Sequence, residues 1–464
     1  YDWFRPVKSP LFFKLKPMSI TGLLMPPITE YLFGEGRLAS LRGRAERQRL
    51  TKGRAHQLHY FHQVDDPLSA LTGGCIARLL ERYNIELLPH LVGEPSQAMA
   101  PDRERLQTYS RVDSQRLAPR LNLVFQDPGQ QPRSERVACA QGVLLKAIEM
   151  FEFVARVDSV SAWLWGTSSP TSERAGDLGF ETASAAEVAT HLRASEALCQ
   201  QLGHATGASF FYAGEWYWGV ERLYHLEQRL QLLGALKQGA QGSYLFPLSA
   251  DLNHSISLVN PPPIEFFFSL RSPYSAIVVP RVFALAHLTG AQVQLRYVLP
   301  MVMRGLPVPR NKRMYIVRDA AREARAREIP FGRINDPVGH PTERGLALLH
   351  WAERENKGPA FLQSFMHGVW AEGLDAGSAS GLRRIVERTG LKWSQAQAAL
   401  KSEEWRAAAE ANRQELLAHG LWGVPSFLVG DCAVWGQDRL WAVQEALLRQ
   451  ADHVGLTETS TRPS

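Results

Sequence analysis

The sequence predicts an α/β protein made of two successive, similar domains. Short apolar runs that are typical of buried strands alternate with segments whose apolar residues recur at helical spacing. This order of segments occurs twice along the chain, which indicates an internal repeat. The chain also has 464 residues, too many for a single hydrophobic core and enough for two main domains with extensions.

The first part of the repeat has a constant offset of 206 residues, as from position 58 to position 264. One register therefore covers a strand, a turn, a helix and a second strand in each copy. The segments that align at this offset are Leu58–His62 with Ile264–Phe268, Asp66–Ser69 with Ser272–Ser275, and Glu86–Leu88 with Gln292–Gln294.

Nearer the end of each copy the offset rises to 217, as from position 209 to position 426, so the second copy has gained residues. Segments between these anchors show helical spacing. Each copy is therefore predicted to run strand, helix, strand, helical block, strand, helix, which favours parallel strands joined by right-handed crossovers. Trp163 and Gly166 match Trp370 and Gly373 at an offset of 207. The matches at 217 are Ser209–Phe211 with Ser426–Leu428 and Trp218–Leu223 with Trp435–Leu440.

The join between the copies is rich in residues that favour turns and extended connectors, as in Gln238–Ser243 and Asn260–Pro263. We therefore divide the chain into five parts. These are an N-terminal basic extension (1–57), a first domain (58–234), a linker (235–262), a second domain (263–452) and a tail (453–464).

The net charge of +6 is mild for this length and does not predict nucleic-acid binding. The charge is uneven, because the segment from Arg37 to Arg54 contains seven basic residues and only Glu46 as a counter-charge. We favour a solvated arm or helix face for this segment. Contact with an anionic lipid surface or an acidic partner is the alternative.

Four widely separated cysteines, with no Cys-x-x-Cys motif, predict neither a disulfide framework nor a zinc site, and a reducing cytoplasm fits them best. The stretch Leu11–Phe33 is interrupted by lysines and prolines, so no signal peptide or transmembrane segment is predicted. A metal site is not predicted at His56, His59 and His62 either. A spacing of three along a strand places side chains on opposite faces.

The four residues Ser272–Ser275, here called the Ser272 corner, lie between the apolar run Ile264–Phe268 and the helix-like segment Ala276–Leu288. A helix N-terminus presents unpaired N–H groups and about half a positive charge, which stabilise an anion such as a thiolate. In thioredoxin-type redox proteins a Cys-x-x-Cys motif occupies this place, whereas here both positions are serine. A reactive thiol would therefore have to arrive with a ligand.

The second copy resembles the kappa-class glutathione transferases and the bacterial 2-hydroxychromene-2-carboxylate isomerases, which are DsbA-like members of the thioredoxin superfamily. The resemblance covers nearly all of residues 264–448 and implies two tandem DsbA-like thioredoxin domains, each with an inserted helical subdomain. The matching motifs are Phe266–Ser275, Asn311–Asp319, Gly420–Phe427 and Trp435–Leu440.

The resemblance implies glutathione as cofactor and gives each site residue a role. Ser272 would be the catalytic residue that hydrogen-bonds the glutathione sulfur, and Lys312 would reach a ligand carboxylate. The Val424 backbone would pair with the cysteinyl unit beside a cis Pro425. The γ-glutamyl end would be held by Gln437 and Asp438.

The implied activity is a cytoplasmic glutathione-dependent isomerase or transferase acting on a small electrophilic substrate, aromatic or unsaturated. Two alternatives stay open: a thiol–disulfide oxidoreductase-like protein without its own redox cysteines, and a non-catalytic binding or scaffold protein. The segment Met303–Arg310 is compact and basic compared with the family, which leaves the substrate open. Arg271 either assists an anionic substrate or points to solvent.

The first copy departs further from the family pattern. Asp66 replaces the reactive hydroxyl, Ala208 stands in the place of Pro425, and Val220–Glu221 replaces Gln437–Asp438. A carboxylate is a good helix cap but repels a thiolate. We therefore expect the first copy to be catalytically silent. It would pack on the second copy as an internal pseudo-dimer or serve as a binding module, and a homo-oligomer is also compatible with the sequence.

Overall fold

The computed structural model describes residues 20–166, 181–240, 242–252, 254–256 and 258–459. Within these ranges the chain forms two four-stranded sheets, each accompanied by its own helices. No helix in the described ranges combines the length and the apolar character needed to cross a membrane.

Two helices, α1 (Ile20–Phe33) and α2 (Glu35–Thr51), precede the first sheet and lie in the predicted N-terminal extension. The first strand begins two residues before the predicted domain start at 58. The elements of this half are β1 (His56–Gln63), α3 (Pro67–Arg82), β2 (Ile85–Val92), α4 (Arg103–Leu117), α5 (Ser134–Glu149), α6 (Phe153–Trp165), α7 (Ala185–Gln201), β3 (Ser209–Tyr212), β4 (Glu215–Trp218) and α8 (Leu223–Leu232).

The second half repeats this plan with more helices between its second and third strands. Its last helix extends to Thr459, so the predicted tail is helical as far as that residue. The elements are β5 (Ile264–Phe268), α9 (Pro273–Thr289), β6 (Val293–Tyr297), α10 (Arg310–Ala326), α11 (His340–Arg354), α12 (Gly358–Trp370), α13 (Ala379–Glu387), α14 (Trp393–Ala399), α15 (Glu404–Ala418), β7 (Ser426–Val429), β8 (Cys432–Trp435) and α16 (Leu440–Thr459).

The two sheets have equivalent strand orders, β2-β1-β3-β4 and β6-β5-β7-β8. The first two strands of each half pair in parallel, but β3 and β4, like β7 and β8, pair antiparallel. The prediction of parallel pairing is therefore confirmed for the first two strands of each half and wrong for the others, and β4 and β8 were missed. In the first half the hairpin turns through Ala213 and Gly214, both with positive φ, which fits the twist of paired strands.

The central strand β5 is buried on both faces, which explains its continuous apolar sequence. Phe266, Phe267 and Phe268 have no exposed surface, and Phe266 stacks on Phe427 of β7 with ring centroids 5.2 Å apart. Burial of side chains this large contributes roughly 2 kcal/mol or more each. The end of β5 is therefore a rigid support for the Ser272 corner that follows it.

The two halves contact each other through equivalent tyrosines. Tyr109 on α4 accepts a hydrogen bond from the backbone N–H of Trp435 at 2.7 Å. Its counterpart Tyr315 on α10 accepts one from the N–H of Trp218 at 3.3 Å. A helix of each half therefore packs against the last strand of the other half.

Equivalent ion pairs accompany these hydrogen bonds. Arg439 binds Asp113 at 2.6 Å and Arg222 binds Asp319 at 2.7 Å, and all four side chains are buried. The aspartates are related by the offset of 206 and the arginines by the offset of 217. The contact between the halves is thus reciprocal, with each half supplying one arginine and one aspartate.

Candidate functional site

Ser272 is the N-cap of α9. Its Oγ accepts a hydrogen bond from the N–H of Ser275 at 3.1 Å, and its carbonyl accepts one from Ala276 at 3.0 Å. Pro273 has no N–H, so Tyr274 provides the first-turn amide that lacks a partner among the described residues. A serine hydroxyl can accept and donate at once, so the Ser272 proton is available to a bound anion at this helix N-terminus.

The strand register brings Pro425 to the same end of the sheet as Ser272. Phe267 of β5 is paired with Ser426 of β7 in antiparallel register, so Pro425 lies one step further along, opposite the last residue of β5. The chain turns from that point into the Ser272 corner. The Val424–Pro425 peptide bond is cis.

Val424 is half-buried, and its backbone N–H and carbonyl make no hydrogen bond to any other described residue. Its side chain packs against the same small apolar cluster as Tyr109 and Trp435 do. Gly423 lies so close to Trp435 that an added Cβ would be 2.4 Å from the indole nitrogen, which explains glycine there. The backbone assigned to ligand pairing is therefore free of hydrogen bonds to other described residues, and a tyrosine from the first half belongs to the apolar cluster beneath it.

Lys312 lies in the first turn of α10, and its side chain reaches a residue of the first half of the chain. Its Nζ donates to the carbonyl of Met99 at 2.6 Å, and burial lowers its pKa. The structure therefore engages this ammonium group with a backbone carbonyl rather than with a carboxylate. It does not link Lys312 to the Ser272 corner by any hydrogen bond among the described residues.

Gln437 is buried and both ends of its amide are engaged. Its Oε1 accepts from Arg281 at 2.6 Å and its Nε2 donates to Glu323 at 3.0 Å. Arg281 also donates to the Gln437 carbonyl at 3.0 Å. Because Arg281 is part of α9, this side chain ties the turn at 437–439 to the helix that begins at Ser272.

Asp438 keeps 21% of its side chain exposed and pairs with Arg222 at 3.0 Å. Arg222 also binds Asp319, which accepts a hydrogen bond from the hydroxyl of Tyr274 at 2.8 Å. A chain of polar contacts therefore runs from the Ser272 corner to Asp438. Burial alone would lower the pKa of Arg222, but Asp319 and Asp438 together raise it above its ordinary value.

Arg271 neither points freely to solvent nor lies unpaired beside the corner. Its guanidinium forms a two-pronged ion pair with Asp336, with both distances at 2.7 Å. A planar guanidinium paired in this way is held in a fixed orientation. Its charge is therefore already balanced within the chain.

The equivalent corner of the first half is closed by its own side chains. Asp66 caps α3 by accepting from the N–H of Leu68 and Ser69, and it also accepts from the Ser69 hydroxyl at 2.9 Å. The Ser69 hydroxyl in turn accepts from the N–H of Ala208 at 2.8 Å. Burial raises the pKa of Asp66 to about 6.

The three histidines of β1 each have a different partner. Nitrogens of His59 and His90 lie 3.0 Å apart, His56 contacts Tyr212, and His62 contacts Tyr60. Within the described residues no group of three histidine, cysteine, aspartate or glutamate side chains converges as a metal site would require. The four cysteines are all free thiols, and all lie outside the Ser272 corner.

The sequence reasoning gave no role to Tyr109, Asp113, Arg222 or Asp319. The repeat could have revealed them, because the two offsets that align the strands also align each of these residues with an identical residue in the other copy. Matched polar residues at a repeat offset predict a reciprocal contact. They would have been found by applying the offsets to every charged residue.

Comparison with known proteins places this site in a recognised fold. Residues 263–448 match the family model described as a DSBA-like thioredoxin domain. The 2-hydroxychromene-2-carboxylate isomerase of Sphingobium xenophagum is 24% identical over 193 residues, which are 40% of this chain and 97% of that protein. The Pseudomonas putida isomerase is 23% identical over 194 residues, covering 40% and 94%. The C-terminal part of the chain is therefore a DsbA-like thioredoxin domain with isomerase homologues.

Among solved structures, the cytosolic disulfide reductase DsbM from Pseudomonas aeruginosa with GSH matches 40% of this chain and 99% of its own. The sequence identity is 19% and the TM-score is 0.32. The match to the family model covers residues 263–448, and the two isomerase alignments cover 193 and 194 residues, so each corresponds to a single domain.

Proposed function

We propose that the chain is a glutathione-dependent isomerase or transferase with one active site, located at the Ser272 corner. The proposal rests on the arrangement of hydrogen-bond donors at this corner. A half-buried serine caps α9 with its proton free to donate, next to an unpartnered first-turn amide, in a domain whose homologues are isomerases. Neither serine position offers a sulfur, so the corner suits an anion that comes with a ligand.

Bound glutathione would supply the nucleophilic sulfur that this corner lacks. An ordinary thiol with a pKa near 8.5 is only about 3% ionised at pH 7. Lowering that pKa by two units requires about 2.7 kcal/mol, which a helix N-terminus and one hydroxyl donor can together provide. Ser272 and the Tyr274 amide would therefore hold the sulfur in its anionic form.

The rest of the site offers groups that suit the two ends of a tripeptide. Asp438 retains exposed oxygen surface and suits an ammonium group, although a ligand would share it with Arg222. Lys312 has two further protons beyond the one donated to Met99 and suits a carboxylate. We assign Gln437 a supporting role, because its amide is already engaged in holding the 437–439 turn on α9.

An isomerase of this kind adds a sulfur reversibly to an unsaturated bond of the substrate and later expels it, so that no net oxidation occurs. The role of the protein is to stabilise the negative charge on the sulfur before it adds to the substrate and after it is expelled. The apolar and aromatic wall of Val424, Tyr109 and Trp435 would exclude water from that step. A small aromatic or unsaturated substrate fits this wall.

Calorimetric titration of glutathione into the full chain tests the proposal. Wild type should bind, Ser272→Ala should bind about tenfold more weakly through loss of a charged hydrogen bond, and Asp438→Ala should also bind more weakly. Ser378→Ala is the matched control, because Ser378 also caps a helix, α13, by accepting from the N–H of Gly381 at 3.0 Å. An absence of binding by wild type, or equal losses in the control, would end the proposal.

We infer further that the two halves are tandem thioredoxin-like domains arranged as an internal pseudo-dimer, the first one silent. The equivalent strand orders and the reciprocal tyrosine and arginine contacts support this. The first half would serve the active site by supplying Tyr109. Its own corner carries the Asp66 carboxylate, which disfavours a second anion.

A further inference from the structure

A groove of about 550 Å³ lies between the N-terminal helices and α10, away from the Ser272 corner. Its walls come from the end of α1, from α2, from the β3–β4 hairpin and from one side of α10. The opposite side of α10 packs through Ala320 and Ala324 against α9 and Tyr274. The groove therefore lies on the other side of α10 from Tyr274, although Asp319, which accepts the Tyr274 hydrogen bond, contributes to its lining. Its size is common for small-molecule sites.

The groove has two chemical surfaces. One is apolar and includes Leu32, Leu38, Leu41 and Met314, while the other is lined by arginines. Leu41 keeps 46% of its surface exposed although it lines a cavity. A lining of this composition suits a ligand with an apolar body and a polar end.

The polar surface has more positive than negative charge. Arg37, Arg310 and Arg318 line the groove and form no ion pair with any described residue. Both acidic groups of the lining, Glu215 and Asp319, are already bound by arginines. The three unpaired arginines are therefore available to bind an anion.

Arg322 is an independent indication that the groove binds an anion. It is 8% exposed and lines the groove, and its guanidinium binds Asp319 and the carbonyl of Trp216 and lies 4.6 Å from the ring centre of Tyr217. Its Nε has no hydrogen-bond acceptor among the described residues. Nearby Arg325 donates to the carbonyl of Phe33 rather than to a carboxylate. A buried guanidinium N–H without an acceptor is costly unless a ligand supplies one.

We propose that this groove binds a small amphipathic anion, which consists of an apolar body with a carboxylate or sulfonate end. The end group would lie among the unpaired arginines of α10, and the apolar body would lie on the leucines of α1 and α2. The N-terminal helices are thus one wall of a ligand site. This site is separate from the one proposed for glutathione.

The test is calorimetric titration of dodecanoate, below its micelle concentration, into the full chain. Wild type should bind dodecanoate, and acetate, which lacks the apolar body, should not bind. The variant Arg310→Glu/Arg318→Glu should bind dodecanoate at least tenfold more weakly. The control Arg313→Glu/Arg384→Glu changes the charge equally at exposed positions outside the groove and should bind like wild type.

A second pair of variants tests the apolar wall without affecting folding. Leu41→Asp should weaken dodecanoate binding at least tenfold, and Leu50→Asp, on the same helix but outside the groove and 62% exposed, should not. Equal affinities within either pair would overturn the proposal. So would binding to anionic phosphatidylglycerol vesicles without binding to monomeric dodecanoate, because that result would indicate a membrane surface instead.

Discussion

Ser272 and Asp66 occupy equivalent positions, each capping the helix that follows the first strand of its half, but they differ in charge. The serine hydroxyl accepts from one amide and can donate to an anion. The Asp66 carboxylate accepts from two amides and a hydroxyl and has no proton to donate when ionised. In the proposed function, this difference in charge is what lets the Ser272 corner, and not the Asp66 corner, hold a thiolate.

Asp66 should make folding stability depend on pH. Burial raises its pKa from 3.8 to about 6, so the native state binds the proton more tightly than the unfolded chain does. Its stabilising contribution is therefore full below about pH 4 and is lost as the pH rises through about 6. Replacement of Asp66 by Asn keeps a helix cap and removes the buried charge.

Asp66→Asn should raise the free energy of unfolding by about 1–2 kcal/mol near pH 8 and by much less near pH 4. Denaturant unfolding at both pH values measures this difference. Asp102→Asn is the control, because the side chain at the N-cap of α4 makes no capping hydrogen bond and only an exposed ion pair with Arg105; it should change the free energy of unfolding by less than about 1 kcal/mol. An equal effect of Asp66→Asn at both pH values would contradict the interpretation.

At the scale of elements, α4 and α10 hold the halves together by contacts that follow the repeat. The sequence predicted the repeat, the first two strands of each half and the helices between them, because those have clear periodicity. It missed β4 and β8 because each follows the preceding strand after a turn of only two residues, so that each hairpin was taken for a single strand. The family resemblance implied a ligand-binding role for Gln437, and no local pattern shows that its amide is engaged, because its buried partners Arg281 and Glu323 lie far from it in sequence.

The buried ion pairs between these elements should be essential to the contact. Asp113→Ala leaves the buried Arg439 without its main counter-charge and should cost about 3–5 kcal/mol of unfolding free energy. Glu387→Ala removes an exposed pair with Arg383 on α13 and should cost less than about 1 kcal/mol. Equal costs, measured by denaturant unfolding, would show that the buried pair does not hold the halves together.

For the whole molecule, the first half contains several histidines that are held neutral by burial. Burial lowers the pKa of His62 and His204 to about 3 and that of His90 to about 4. The unfolded chain therefore binds more protons than the native chain below about pH 6.5. Stability is full above that pH and is lost progressively as the pH falls toward the native values.

The expected loss is about 1.4 kcal/mol per pH unit below 6.5 for each such histidine. Free energies of unfolding measured between about pH 7.5 and 5 should therefore fall steeply. The variant His90→Gln should reduce the dependence of the unfolding free energy on pH by about 1.4 kcal/mol per pH unit, which is the contribution of one histidine. A stability that stays level across this range would show that these side chains are not held neutral.

The central claim is that the chain lacks a sulfur of its own at the Ser272 corner and stabilises the thiolate of a bound tripeptide there. Its most direct test is a pH titration of the ultraviolet thiolate absorbance of glutathione bound to the full chain. Wild type should show an apparent thiol pKa about two units below 8.5, and Ser272→Ala should show a value closer to 8.5. An unshifted pKa in the wild-type complex would contradict it.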